Sequence, residues 1–271
     1  MSRVHNVVQH RSAIAGVEAM TLFSDHSFPR HLHDQYGIGI MTSGAQRSWS
    51  VIGDVESRAG DVIMVNPGEM HDGMPADRKS GCAARGWRIL YFDPKLIARE
   101  ISDELLQGEF VVQPVARDRE LAREVRRLFA HVERAVPDAL ASEESLVSCL
   151  MIVAQKHRVG RPPATSASPS VIKAVQRLDR APEEPTSLSD LAALSGLSRF
   201  QLLRGFARAV GTTPHAYLVQ RRVRLARRLL ASGSTPGDAA VGAGFADQSH
   251  MTRAFVRHFG ITPARYKAAL A

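Results

Sequence analysis

The chain contains RGFARAVGTTPHAY at residues 204–217 and RAFVRHFGITPARY at residues 253–266. The two stretches begin 49 residues apart and are identical at seven of their fourteen positions. The repeat does not indicate a solenoid, because solenoids need three or more stacked units to bury a continuous core. Two copies predict a paired module in the last part of the chain.

Helix-start signals surround both copies of the repeat. Thr-Pro pairs at residues 213–214, 235–236 and 262–263 place a capping hydroxyl before a proline at the first helical position. Gly211 and Gly260 stand where a helix ends in a left-handed residue. Residues 171–271 are therefore predicted to form an all-α domain of about seven short helices.

Each copy fits a helix-turn-helix motif, in which a turn joins a supporting helix to a second helix that enters the DNA major groove. The first motif is predicted at residues 188–210 with its turn at 196–197, and the second at residues 238–259 with its turn at 244–246. Apolar residues at four-residue spacing predict the buried side of each second helix, Leu202 and Phe206 in the first and Met251 and Phe255 in the second. Arginine, glutamine and threonine side chains on the other side suit guanine, adenine and the thymine methyl group.

The charge of the chain is concentrated in the same region. Residues 171–271 carry 15 Lys and Arg against 6 Asp and Glu, a net charge of +9, whereas residues 1–170 are almost neutral with 20 against 21. A small basic domain beside a neutral one is typical of DNA binding, since Lys and Arg neutralise phosphates. Five arginines at residues 221–228 are predicted either to contact phosphates or to form a solvated helix face.

The stretch GFADQSHMTRAF at residues 244–255, followed by FGITPARY at residues 259–266, resembles the paired helix-turn-helix domain of the AraC/XylS family of bacterial transcription regulators. The resemblance implies two reading helices in successive major grooves on one face of the duplex. The chain departs from the family pattern at Leu203, which is apolar where relatives often carry a polar residue. The predicted DNA-binding residues are Arg199, Phe200, Leu203, Arg204, Gln248, Ser249, His250, Thr252 and Arg253.

Up to about residue 114 the sequence reads as short strands separated by turn residues, which predicts a sandwich or barrel. Strands are predicted at residues 36–41, 47–52, 61–65 and 87–92, and two helices follow, the second at residues 139–157. Residues 158–170 are rich in Pro, Ser and Thr and are predicted to form a linker. The predicted organisation is multidomain α+β, with a cupin-like β-barrel and two helices at residues 1–157, the linker, and the helical domain at residues 171–271.

The barrel assignment follows from the family resemblance and from two histidine-containing stretches. His31 and His33 before Gly44, and NPGEMH at residues 66–71, resemble the two cupin motifs, which bind metal in enzymes through three histidines and a glutamate. Gly37 and Ile38 stand where that glutamate is expected, so no metal and no cofactor are predicted. The histidines are predicted either to bind an organic effector or to be structural. The predicted effector-binding residues are His31, His33, His71, Trp49, Arg88 and Tyr91.

The predicted function is sequence-specific transcription regulation, as an activator that responds to a small-molecule effector. The alternative is a cupin-type metal-dependent enzyme with a basic accessory domain. The predicted partners are double-stranded DNA at an asymmetric promoter site, the effector and RNA polymerase. An apolar helical stripe consisting of Leu121, Val125, Leu128 and Val132 is expected either to pack within the chain or to form a homodimer interface.

The sequence also allows predictions of the cellular location and of the state of the cysteines. The longest strongly apolar stretch, residues 146–154, is far shorter than the roughly 20 residues that a membrane span requires, and no secretion signal precedes it. A cytoplasmic location is therefore expected. Cys82 and Cys149 are far apart in sequence, which predicts ordinary reduced cysteines rather than a disulfide framework or a zinc site.

Overall fold

The computed structural model describes residues 4–12, 14–50, 52–76, 84–101, 110–134, 138–159 and 168–270. The chain divides into two compact units, Met1–Pro162 and Pro163–Ala271. Strands are confined to the first unit within these described ranges. None of the described helices combines the length and apolar character needed to cross a membrane.

The first unit is built from ten strands and three helices among its described residues. The strands are β1 (His5–His10), β2 (Val17–Ser24), β3 (Phe28–His31), β4 (Tyr36–Ser43), β5 (Ala45–Ser50), β6 (Gly53–Arg58), β7 (Val62–Val65), β8 (His71–Pro75), β9 (Arg85–Phe92) and β10 (Val115–Ala116). The helices are α1 (Pro94–Glu100), α2 (Arg119–Val132) and α3 (Ala139–Lys156). The four predicted strands correspond to β4, β5, β7 and β9.

The strands form two sheets, as expected for a cupin-like barrel. The larger sheet has the order β1-β2-β9-β4-β7-β10 and the smaller one β3-β8-β5-β6. Glycines with positive φ occupy turns between strands, among them Gly44 (φ 68°) and Gly60 (φ 96°), where L side chains are strained. The predicted β-barrel followed by helices is therefore confirmed.

The three helices cover one face of the larger sheet. Ala19, Ile38 and Leu90 on that face form one continuous hydrophobic core with α1, α2 and α3. An amphipathic helix is stabilised when its apolar stripe is buried in this way. The opposite face of the larger sheet is turned towards the smaller sheet, and the side chains between the two sheets include Phe28 and Trp87.

Of the two alternatives for the apolar stripe of α2, packing within the chain is observed, and a homodimer interface through this stripe is wrong. Its four members are at most 4% exposed and belong to the core shared with the larger sheet and α3. The larger sheet and α3 together cover the whole stripe, which leaves no surface of it for a second chain. These residues are Leu121, Val125, Leu128 and Val132.

The second unit consists of seven helices within its described residues, in agreement with the prediction. They are α4 (Pro169–Arg180), α5 (Leu188–Ser195), α6 (Arg199–Val210), α7 (Pro214–Ala231), α8 (Pro236–Gly242), α9 (Gln248–Phe259) and α10 (Pro263–Leu270). The Thr-Pro pairs begin α7, α8 and α10, and the hydroxyl of Thr213 accepts a hydrogen bond from the N–H of Ala216.

The predicted linker differs from the structure at both of its ends. Arg158 forms a β-bridge with Val112, and the N–H of Val159 donates to the carbonyl of Val111 at 2.9 Å, so these two residues belong to the first unit. At the other end Pro169 and Ser170 form the first turn of α4, which Ser168 caps. The intervening residues 160–167 lie outside the described residues, as do Cys82 and Pro137.

Candidate DNA-reading surface and sensor site

The first helix-turn-helix motif consists of α5, a turn at Gly196 and α6. Gly196 has the left-handed conformation (φ 64°) that ends α5. Ser198 and Gln201 then form a reciprocal capping box that fixes the start of α6. Leu202 and Phe206 are fully buried, as the four-residue spacing predicts. One side of α6 is therefore fixed in the core.

The opposite side of α6 presents two large apolar side chains and two arginines. Phe200 is 66% exposed and Leu203 is 38% exposed. The guanidinium of Arg204 lies 5.5 Å from the centre of the Phe200 ring, a distance typical of a cation–π contact. Arg199 is also exposed. This surface combines donors for guanine with an apolar side chain that can contact thymine methyl groups.

The second motif consists of α8, a turn at residues 243–247 and α9. Asp247 caps α9 by accepting a hydrogen bond from the N–H of His250 at 2.6 Å. Met251 and Phe255 are fully buried. The side chains on the opposite side follow one another at helical spacing, with Gln248, Ser249 and Arg253 exposed and Thr252 half-buried.

His250 is placed differently from the other predicted reading residues. Its side chain is half-buried, and its ring packs edge to face on Phe245 with the ring centres 5.2 Å apart. The contact joins the turn to the first turn of α9. The structure therefore places His250 in the packing of the motif, beside the outward row of residues on α9.

The internal repeat preserves the scaffold of the two motifs. Phe206 contacts Tyr217 with ring centres 5.6 Å apart, and the equivalent pair 49 residues later, Phe255 and Tyr266, is 5.7 Å apart. The repeated glycines that end α6 and α9 both have positive φ, 81° and 74°. The second helices of the two motifs, α6 and α9, are thus held by the same contacts and the same helix ends.

Gly244 has a role that the family resemblance did not explain. Its φ is 78°, and a Cβ atom at this position would meet the backbone carbonyl of Glu183 and approach the Glu183 Cα to 2.7 Å. A side chain is therefore excluded both by the backbone conformation and by the neighbouring chain. Gly196 at the first turn has positive φ but nothing within 4 Å of such an atom.

The arginines of α7 largely bind the second unit itself. Arg221 Nε lies 2.7 Å from Asp179 Oδ1, and Arg222 Nε donates to the carbonyl of Pro182 at 2.7 Å. Burial lowers the pKa of Arg222. Arg227 lies 5.4 Å from the centre of the Phe259 ring, and Arg224 is only 6% exposed. These contacts disagree with a fully solvated face for the four side chains, whereas phosphate contact stays a prediction.

In the first unit the three predicted histidines come together. One ring nitrogen from each of His31, His33 and His71 lies within 4.8 Å of the corresponding nitrogens of the other two. The His31 and His71 ring centres are 4.4 Å apart, and the His33 ring centre is 5.0 and 5.1 Å from them. His31 and His33 are buried, and His71 is half-buried. These residues are called the histidine cluster below.

The local backbone explains why the cluster forms. His31 on β3 and His71 on β8 are directly paired across the smaller sheet. His33 follows β3 and forms a bridge with Pro67, two residues after the end of β7. Nδ1 of His31 lies 2.7 Å from the carbonyl oxygen of Pro29, and Nδ1 of His71 lies 3.0 Å from that of Glu69. Two of the three rings are thus oriented by the main chain.

Tyr91 adjoins the histidine cluster, but Arg88 does not. The ring centres of Tyr91 and His33 are 5.0 Å apart. Because side chains alternate along a strand, Arg88 lies on the other face of β9. There its guanidinium lies 5.2 Å from the Phe129 ring centre and 3.5 Å from the Glu133 carboxylate on the α2 side. The prediction that Arg88 lines the effector site is corrected accordingly.

Trp49 also lies away from the cluster. The Arg30 guanidinium stacks 3.9 Å above its ring, and Arg30 in turn lies 3.8 Å from Asp72. On β5, Gln46 faces the space between the sheets, where it contacts Arg85, so alternation puts Trp49 on the outer face of the smaller sheet. The prediction that Trp49 lines the same cavity as the histidines is therefore wrong.

Arg85 is a buried residue between the sheets that the sequence analysis missed. It is fully buried and donates hydrogen bonds to Gln46 and to the backbone carbonyls of Ser24, His26 and Gly73. Burial lowers its pKa to about 10. The signal was the alternation of β9, which begins at Arg85, two residues before the predicted strand.

Cys149 is a core residue of α3. It is fully buried, and desolvation raises the pKa of its thiol to about 12. A thiol with so high a pKa is a poor nucleophile at neutral pH. This environment agrees with an ordinary reduced cysteine.

A β-barrel with clustered polar side chains, followed by two helix-turn-helix motifs with exposed reading faces, defines a two-domain transcription regulator. Residues 14–150 match the AraC-like ligand binding domain, and residues 191–269 match a helix-turn-helix domain family. The chain therefore belongs to the AraC family of transcriptional regulators.

Individual relatives agree with this assignment. The chain is 29% identical to the HTH-type transcriptional regulator YbfI of Bacillus subtilis over 83% of its own length and 81% of the relative. It is 24% identical to the RCS-specific HTH-type transcriptional activator RclR of Escherichia coli, covering 84% and 82% of the two chains. A shorter match, 40% identical over 82 residues, spans 24% of the transcriptional activator NphR of Rhodococcus.

A solved structure shares the fold. ToxT of Vibrio cholerae, in an apo K231A form, superposes with a TM-score of 0.55 over 100% of this chain and 98% of that chain. The sequence identity is 13%, so the similarity concerns the fold. Both the β-rich domain followed by helices and the helical domain with two helix-turn-helix motifs agree with the prediction.

Proposed function

We propose that this AraC-type regulator recognises an asymmetric DNA site through α6 and α9. The main support for an asymmetric site is that equivalent outward-facing positions of the two helices carry chemically different side chains. Arg199, Phe200 and Leu203 on α6 correspond to Gln248, Ser249 and Thr252 on α9. Among the predicted base-reading positions, Arg204 and Arg253 are the one pair that is identical, and both are exposed. Each helix therefore has the same arginine donor but different neighbouring side chains. We expect the two helices to recognise different base sequences.

The base contacts are assigned from side-chain chemistry. Arg204 and Arg253 are proposed to donate in pairs to guanine, and Gln248 to bind adenine. Phe200 and Leu203 are proposed to contact thymine methyl groups, because large exposed apolar side chains on a small basic domain indicate a binding surface. The net charge of +9 on residues 171–271 supplies the attraction to phosphate that does not depend on sequence.

The first unit is proposed to bind a small-molecule effector beside the histidine cluster and to act as the sensor. Regulation requires that the effector bind one conformation of the protein more tightly than another, because otherwise the population does not shift. Two matched relatives are named as activators. We therefore propose activation through contact with RNA polymerase, in the cytoplasm where the target DNA lies.

We propose that the chain is a regulator without enzymatic activity. The cupin-type enzyme alternative requires a carboxylate together with the histidines, as in a facial triad of two histidines and one carboxylate. Among the described residues no Asp or Glu belongs to the histidine cluster. The relatives that span most of the chain are transcriptional regulators, which supports the same proposal.

Arg253→Ala tests the reading role of α9. Loss of a bidentate contact to guanine is expected to weaken binding at the specific site by about 1–3 kcal/mol and to relax selectivity at one base pair. Arg257→Ala is the matched control, since Arg257 is exposed on the same helix one turn further on and carries the same charge. Fluorescence anisotropy of the full chain with specific and scrambled duplexes measures both effects.

The two variants separate base reading from general electrostatics. Arg257→Ala is expected to weaken specific and scrambled DNA by similar, smaller factors. If Arg253→Ala also weakened both duplexes equally, Arg253 would be a phosphate contact and its assignment as a reading residue would be wrong.

A further inference from the structure

We propose that the histidine cluster is a binding site for a divalent transition metal ion of the zinc class, with one coordination position left open to the effector. The inference deepens the proposed function, on which it rests for the role of the site as a sensor. Metal binding itself is measured without DNA, so the two proposals can fail separately.

The convergence of the three rings is the first argument. Zinc binds histidine nitrogen at about 2.0–2.1 Å, and tetrahedral geometry then places its ligands about 3.4 Å apart. The three ring nitrogens of the cluster lie within 4.8 Å of one another. Each ring therefore needs to move towards a common centre by less than about 1 Å to complete the ligand set.

The orientation of the rings is the second argument. A carbonyl oxygen only accepts, so Nδ1 of His31 and Nδ1 of His71 carry the hydrogen that points at Pro29 and Glu69. In a neutral ring the lone pair is then on Nε2, so Nε2 is the atom whose chemistry allows it to bind a metal. Metal-binding histidines usually donate their second ring nitrogen to a carbonyl or carboxylate in this way, which fixes tautomer and direction.

The composition of the cluster indicates the metal class. Three imidazoles without a carboxylate or thiolate, as found among the described residues, suit zinc better than calcium or magnesium. Three protein ligands also leave the fourth tetrahedral position for an exogenous group, whereas closed structural zinc sites supply four. An effector with a carboxylate, thiolate or similar anionic donor fits that position.

The position of the cluster is the third argument. His31 and His33 are only 8% and 7% exposed, and Tyr91 packs beside His33. The backbone pairing of His31 with His71 joins two of the ligands through the smaller sheet. A metal bound here would connect β3, the loop after it and β8. Occupancy is therefore expected to stabilise the first unit against unfolding.

Direct metal titration of the full chain, prepared without a histidine tag and stripped of metal, tests the inference. Zinc is expected to bind at one ion per chain by calorimetry and elemental analysis. Cobalt, used as a spectroscopic probe, is expected to give the visible absorption of a four-coordinate ion. Absence of saturable one-to-one zinc binding by the wild-type chain would overturn the inference.

Two variants locate the site. His71→Gln and His33→Gln are expected to weaken zinc binding at least about tenfold, because each removes one of three ligands. His5→Gln is the matched control, since His5 is exposed on β1 of the same unit and hydrogen-bonds Ser24. Unchanged zinc affinity in folded cluster variants would overturn the assignment, with folding followed by circular dichroism.

A separate DNA-binding assay distinguishes the two proposals. Selective DNA binding by a chain that takes up no zinc would overturn the metal site and leave the regulator function intact. Stoichiometric zinc binding by a chain without DNA selectivity would support the metal site and overturn the proposed function.

Discussion

At the scale of single residues, the two turn glycines, Gly196 and Gly244, allow a direct comparison. Both have left-handed backbones, but only Gly244 lies against another segment, the backbone of Glu183. Gly196→Ala is expected to cost about 1–2 kcal/mol from the backbone conformation alone. Gly244→Ala adds a steric conflict and is expected to cost about 2–5 kcal/mol.

Denaturant unfolding followed by far-UV circular dichroism measures this difference in the helical unit. Both tryptophans, Trp49 and Trp87, lie in the first unit, so tryptophan fluorescence serves as an internal reference for that unit. Equal destabilisation by the two substitutions would contradict the contact between Gly244 and Glu183.

Asp118 links the stability of the first unit to pH. Its carboxylate caps α2 by accepting from the N–H groups of Glu120 and Leu121, and it lies 2.9 Å from His157 Nε2. Burial acts to raise the pKa of Asp118, but the hydrogen bonds from Leu121, His157 and Glu120 outweigh it, so the pKa is lowered. The folded state therefore gains stability from ionised Asp118 above its ordinary pKa.

That stability is expected to be lost as pH falls through the lowered pKa of the folded state. Asp118→Asn keeps a capping oxygen but removes the charge, so unfolding free energy should depend less steeply on pH below about pH 4 than in the wild type. Asp118→Ala should cost about 1 kcal/mol at neutral pH through loss of the cap. Identical acid profiles of wild type and Asp118→Asn would contradict this role.

At the scale of residues, the sequence correctly predicted which side chains are buried when one side of a helix faces water. On α6 and α9 the polar side chains mark the exposed side, so Leu202, Phe206, Met251 and Phe255 were correctly placed in the core. On β9 the same reasoning failed for Arg88, because the larger sheet is covered by helices on one face and by the smaller sheet on the other. When both faces are buried, alternation no longer shows which face is which.

At the scale of elements, α2 shows how much an amphipathic pattern reveals. The sequence predicted the helix and its apolar stripe, but any apolar partner satisfies such a stripe. The partner proved to be the larger sheet and α3. Contacts between residues far apart in sequence determine which surface packs against the stripe. The local sequence pattern does not contain that information.

Leu128→Ala tests the buried position of the stripe. Leu128 is fully buried, and its truncation is expected to lower the free energy of unfolding of the first unit by about 2–5 kcal/mol. Leu140→Ala on α3 is the control, because Leu140 is 66% exposed and should change stability by less than about 0.5 kcal/mol. Tryptophan fluorescence during urea unfolding measures both, and a small effect at Leu128 would contradict the packing described.

The helix-turn-helix elements were predicted almost to their ends. Capping residues explain this accuracy, since Ser187, Ser198, Thr213 and Thr235 each accept the expected backbone hydrogen bond. Capping involves residues that are close together in the chain, so it can be recognised from the sequence. The histidine cluster is different, because its geometry depends on the pairing of β3 with β8, in which His31 and His71 are 40 positions apart.

At the scale of the whole molecule, charge, repeat and domain content agree on one account. The first unit carries a buried polar cluster and a family match to ligand-binding domains. The second unit has a net charge of +9, whereas the whole chain has +8, and it contains both helices that are proposed to read DNA. The contacts Phe206–Tyr217 and Phe255–Tyr266 show that the repeat preserves the scaffold. Among the proposed base-reading positions, all except Arg204 and Arg253 differ between the two copies.

Selection of binding sites from random duplex DNA by the full chain tests this account most directly. The account predicts a non-palindromic site with two unlike sequence elements about 10 base pairs apart, the spacing of successive major grooves on one face of DNA. Each element should contain a guanine whose enrichment depends on Arg204 or Arg253. Enrichment of an inverted repeat of one element, or of no sequence at all, would contradict the claim that α6 and α9 read different bases.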